Sequence, residues 1–148
     1  MLRLRTVAIL STVVALIVLT GCQAAAAEPR IETSGAWGRP SPMMDKAGAV
    51  YVVIENKGNV ADRLVGASST AAKMVEVHES YMEGGMMKMR PIAGVDVPAG
   101  GKVELKPGGF HIMLMELVAP LQTGSKIVVN LKFEKAGQVT VNAEIRLQ

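Results

Sequence analysis

The chain has 148 residues, 16 Lys+Arg against 13 Asp+Glu, one cysteine and few aromatic residues, which is the size of one domain with a short leader. No basic run with interleaved aromatics is present, so nucleic-acid binding is excluded. A single cysteine excludes an internal disulfide, a CxxC redox pair and a zinc-thiolate site.

Arg3 and Arg5 precede the uncharged run TVAILSTVVALIVL (6–19), and LTGC (19–22) closes it with small residues and the cysteine. A positive n-region before a short apolar core is a secretory signal. The run falls short of the roughly 20 residues a membrane span needs. The LTGC ending resembles the lipobox of bacterial lipoproteins, which implies a signal peptide over 1–21 and lipid on Cys22. Residues 22–30 then form a tether, and 31–148 an extracytoplasmic domain anchored to the membrane. An ordinary cleaved signal or an uncleaved anchor are the competing readings. Setting Arg3 and Arg5 aside leaves 14 basic and 13 acidic residues, a formal charge of +1.

After the leader, Gly- and Pro-punctuated runs rich in β-formers follow one another. They are 31–37, 48–56, 62–68, 73–82, 86–92, 102–106, 110–117, 125–134 and 138–147. Nine short strands without a helical period predict an all-β antiparallel sandwich or barrel. In FHIMLMEL (110–117) strict alternation puts Phe110, Ile112 and Leu114 on one face, as core, and His111, Met113 and Met115 on the other.

That second face calls for a chemical reason. The chain has two histidines, His78 and His111, and seven of its ten methionines lie between Met74 and Met115. His111 and Met113 are i and i+2 on one strand and so project together. If the segments around His78 and Met89 form a hairpin turning at Gly84-Gly85, Glu83 opposes Met86 and His78 opposes Pro91. Met89 is then the diagonal neighbour of His78 on the same face. A three-residue loop would send it to the other face. Two imidazoles and two thioethers exclude Mg²⁺ and Ca²⁺, which want oxygen. They suit zinc poorly and copper well, above all Cu(I). Without a thiolate ligand a blue-copper centre is excluded.

The spacing from His78 through Met89 and His111 to Met113 is H-x10-M-x21-H-x-M, and here the chain resembles the PCu(A)C family of periplasmic copper chaperones. AWGRP, GAVYVVIENKG, VHESYMEGGMMKMRPI and VPAGGKVELKPGGFHIMLMEL all look like that family. The resemblance implies a cupredoxin-like Greek-key β-sandwich and an exposed Cu(I) site with His78, Met89, His111 and Met113 as ligands. It also implies a monomer without catalytic activity that delivers copper to the Cu(A) subunit of cytochrome c oxidase, with a thiol-containing Sco-type copper protein as a further partner. A copper buffer in the cell envelope with no dedicated acceptor would use the same residues. An enzyme lacks support in a chain with no thiol pair and no Ser-His-acid arrangement.

Other candidates around this constellation have plainer readings. Met86, Met87 and Met115 read as gap-filling core or a soft rim. Met74 and Met82 share the face of His78, and Met43 and Met44 belong to a loop. Glu79 adjoins His78 but faces the opposite way, so it is not a general base. Lys88 and Arg90 read as a solvated face or as a docking patch for an acidic partner.

Overall fold

Alternation along the chain is what builds the sheet. In Lys126–Phe133 the residues Val129, Leu131 and Phe133 are buried, and in Gln138–Ile145 it is Val141, Ala143 and Ile145. Such period-2 burial is the signature of strands with one face on a core. The structure, a computed structural model, describes residues 27–42 and 47–147. Cys22, the leader, Met43 and Met44 lie outside the described residues.

Ten strands follow in chain order: β1 (Ile31–Gly38), β2 (Gly48–Asn56), β3 (Asp62–Ser68), β4 (Ala72–Glu83), β5 (Met86–Pro91), β6 (Val95–Val97), β7 (Lys102–Leu105), β8 (Phe110–Leu117), β9 (Lys126–Phe133) and β10 (Gln138–Ile145). The fold is all-β and cupredoxin-like, with the strands hydrogen-bonded in the order β5-β4-β8-β2-β1-β10-β9-β3-β6. β7 also joins β2. All pairings between the strands are antiparallel except the short parallel contact of β1 with β10. One continuous core of Val, Leu, Ile and Phe draws on both halves of this path, including Val52 and Ile54 from β2, Leu64 from β3 and Leu131 from β9. The tenth strand, β6, is absent from the sequence reading. Its three residues pair with Asp62–Leu64, and only its burial of Val95 and Val97 against the core makes it a strand.

Two irregularities shape the ground on which the histidines stand. In β1, Ser34 pairs with Val53 but Trp37 pairs with Tyr51, so one extra residue is accommodated where Gly35 adopts φ +60°. This bulge moves Trp37, instead of Ala36, opposite Tyr51. In β2, the partner changes between Val50 and Val52: Gly48–Val50 pair with β8, and Val52–Glu55 pair with β7. The turn through Pro107 and Gly108 (φ +78°) joins these two partners. Tyr51 and His111 therefore meet across a gap in the ladder, with ring centroids 6.4 Å apart.

Candidate metal centre

The β4–β5 hairpin has the register that its Gly-Gly turn predicts. Gly84 and Gly85 both take positive φ, as a type I′ turn requires. Glu83 pairs with Met86, Ser80 with Met89, and His78 with Pro91. Met89 is thus diagonal to His78 on a shared face. On its other side β4 pairs with β8, and there His78 lies directly opposite His111. The two rings stand 5.8 Å apart between centroids, inclined at 54°. A single row therefore crosses the sheet from Trp37 through Tyr51 and His111 to His78.

Met113 sits one step along β8 from this row, opposite Glu76 of β4. Met89 sits one step away in the other direction, opposite Ser80. The two thioethers so flank the histidine pair from opposite sides. Met89, His111 and Met113 line one cleft of about 530 Å³, together with Met87, Ser80 and Tyr51. Bringing both sulfurs onto one ion requires the methionines to bend toward the histidines, which three rotatable bonds allow.

Burial divides the donors into two kinds. His78 and His111 are only 8% and 3% exposed, whereas Met89 is 56% exposed. Trp37 and Tyr51, inclined at 38° with ring centroids 4.6 Å apart, lie on the His111 side of the pair. The sequence reading of an exposed site holds for Met89, but not for the imidazoles.

The hydrogen bonds of the two rings decide what they can do. His111 Nδ1 donates to the Gly109 carbonyl at 3.1 Å, and His78 Nε2 donates to the Glu76 carboxylate at 2.9 Å. That leaves His111 Nε2 and His78 Nδ1 as the remaining ring nitrogens, and both are buried with no hydrogen-bond partner. A buried polar atom without a partner costs on the order of 1–3 kcal/mol, so two of them in adjacent rings need a reason. A metal-binding histidine has this arrangement: one nitrogen held as a donor by a carboxylate or carbonyl, the other free to ligate. Burial pushes the His111 imidazole below its usual range, the Gly109 bond and the neighbouring His78 being smaller influences. That shift favours the neutral imidazole, the form that ligation requires.

Glu76, hydrogen-bonded to His78, is the residue of the candidate site that sequence reasoning missed. The signal was there in E-x-H, since i and i+2 share a face on a strand. Glu79, set aside on the same rule, indeed faces the other way and pairs with Arg90 at 3.0 Å. Lys88 pairs with Glu83, so both cations of β5 are engaged in ion pairs of the hairpin. Met74 and Met82 are exposed, and Met113 and Met115 half-buried. Among the described residues no group of three or more His, Cys, Asp or Glu is placed to hold a metal.

Comparison with known proteins agrees with this picture. A family model described as "Putative lipoprotein LpqE-like" matches residues 31–145. "Putative lipoprotein Lxx21020" of Leifsonia xyli subsp. xyli is 37% identical over 99 residues, 66% of this chain and 60% of that protein. The chain thus matches less than two thirds of that relative's length. Among solved structures, the copper-bound PCuAC domain from PmoF2 is 25% identical with a TM-score of 0.65, over 80% of this chain and 93% of that one. The solution structure of CuI-DR1885 from Deinococcus radiodurans is 27% identical with a TM-score of 0.52, over 86% and 83% of the two chains. With the family model spanning the whole β-domain and PCuAC domains sharing its strand arrangement, the chain belongs to the LpqE-like lipoprotein family, as a domain of the PCuAC type.

Proposed function

We propose that this protein is a copper carrier of the cell envelope that binds one Cu(I) through His78, Met89, His111 and Met113. The observation that carries the reading is the pair of buried, partnerless nitrogens, His78 Nδ1 and His111 Nε2, on facing rings. Two imidazoles alone would serve several transition metals, and the flanking thioethers tilt the choice to copper in its softer, reduced state. The copper-bound form of the PmoF2 domain and the Cu(I) form of DR1885 support the same cargo.

The division of burial fits a carrier. The histidines hold the ion in a fixed, dry position, while the exposed Met89 gives an acceptor's ligands access for exchange. Lipid on Cys22 and the tether to residue 30 would keep the domain at the membrane, near an integral acceptor such as the Cu(A) subunit of cytochrome c oxidase. A Sco-type thiol protein is a second acceptor for such a carrier.

Copper titration of the mature chain under reducing conditions, followed by native mass spectrometry and X-ray absorption, tests the site. One Cu(I) per chain is expected, with both nitrogen and sulfur in its shell. A shell of nitrogen and oxygen alone overturns the ligand set. Incubation of the loaded protein with an apo Cu(A) domain tests delivery, and retention of copper at equilibrium would make the protein an envelope copper buffer.

A further inference from the structure

The β4–β5 hairpin carries thioethers that the two-histidine site does not use. β8 pairs with β4 only as far as Glu79, and after a last bond from Ser80 N–H to the Gly109 carbonyl β4 runs on with β5. The two faces of this outer hairpin differ in chemistry. On one face Glu79 pairs with Arg90 and Glu83 with Lys88, and the Arg90 guanidinium lies over the Tyr81 ring at 4.9 Å. On the other, Ser80 faces Met89 and Met82 faces Met87.

Met82, Met87 and Met89 are 63%, 59% and 56% exposed, so packing in a core does not account for them. Directly opposed strand residues have Cβ atoms about 4.5–5.5 Å apart, and diagonal ones about 7–8 Å. Methionine side chains of three rotatable bonds close those gaps easily. The face holds no leucine, isoleucine or aromatic residue, only thioethers and a serine. Thioether sulfur is a poor ligand for hard cations and a good one for Cu(I) and its chemical likeness Ag(I). Met87 and Met89 also line the cleft that reaches His111 and Met113.

We propose that Met82 and Met87, directly opposed on the hairpin, form a second, weaker soft-cation site, from which a Cu(I) ion passes along Met89 to the histidine pair. Its destination rests on the copper reading above, whereas the affinity of these two thioethers for a soft ion does not. Each transfer step is a ligand exchange: a sulfur–metal bond breaks as a nitrogen–metal bond forms. Copper stays Cu(I) throughout.

Ag(I), diamagnetic and redox-inert, titrated into mature chain carrying ¹³C-methyl methionine reads each sulfur separately. The first equivalent should shift the ε-methyls of Met89 and Met113, and the second those of Met82 and Met87. Met86, on the opposite face, should stay unmoved. The Met82→Leu/Met87→Leu variant should bind one equivalent instead of two and should load from a Cu(I) chelate more slowly, with the first affinity unchanged. Stationary Met82 and Met87 methyls through the second equivalent, or two equivalents in the double variant, would overturn the proposal. Shifts at Met82 and Met87 without any at Met113 would leave the hairpin site standing and remove the four-ligand reading instead.

Discussion

Replacing Glu76 by alanine removes the carboxylate that holds His78, and its effect can be worked from the geometry. The contact is 2.9 Å long and joins a 39% exposed carboxylate to a 10% exposed imidazole. Without it His78 loses both its fixed tautomer and its fixed orientation, so part of the population presents an N–H to the ion. Loss of such an outer partner usually lowers metal affinity 10- to 100-fold, or about 1.4–2.7 kcal/mol. The carboxylate is partly solvated, which places the expectation near the lower end. Glu76→Gln keeps an acceptor and loses the charge, so it should fall between wild type and Glu76→Ala. The apo domain should lose about 1 kcal/mol, as for a single half-exposed hydrogen bond. Glu79→Ala is the control: it breaks the Arg90 pair on the opposite face, worth 0–1 kcal/mol at most by the usual measure of surface pairs, and should leave copper binding alone. Competition with a Cu(I) chelator gives the affinities. Equal losses in Glu76→Ala and Glu79→Ala, or none in Glu76→Ala, would refute the role given to this contact.

Three further outcomes are expected. Met113→Leu keeps volume and should cost under about 1.5 kcal/mol of stability while weakening Cu(I) markedly. Met115→Leu, one step further from the histidine row, should weaken it much less, and the same chelator competition separates the two. Apo stability should depend on pH through His111, whose folded-state imidazole is held below its ordinary value by burial. The unfolded chain then takes up a proton first, so stability is complete above about pH 6.5 and declines as pH falls toward the folded value, levelling off below it. Denaturant titrations across that range should show a smaller slope with pH in His111→Asn, and identical slopes would contradict the assignment. Cys22→Ser should release the protein from the membrane fraction with copper binding intact. Loss of binding in that variant would make Cys22 a ligand.

Much of the candidate site was legible in the sequence because a strand is a period-2 object. Once His78 and Met89 are placed on either side of a two-glycine turn, parity alone puts them on one face, and the same rule binds His111 to Met113 and sets Glu79 apart. Donor chemistry then narrows the ion to copper without any coordinates. Those inferences are local, and each follows from covalent geometry over a few residues.

What only the tertiary structure decided is everything that depends on which strands lie side by side. No sequence rule puts β8 beside β4, yet that pairing sets His78 opposite His111 and turns two separate motifs into one centre. The bulge at Gly35 swings Trp37 over Tyr51, and the exchange of β8 for β7 along β2 opens the gap in which Tyr51 meets His111. Burial of the imidazoles, and with it the lowered affinity of His111 for a proton, is a consequence of those distant contacts. β6 exists only because Val95 and Val97 find the core beside β3. Local spacing thus determined which residues could act together on one strand or hairpin, while long-range pairing determined that two such groups meet, and how deeply they are buried.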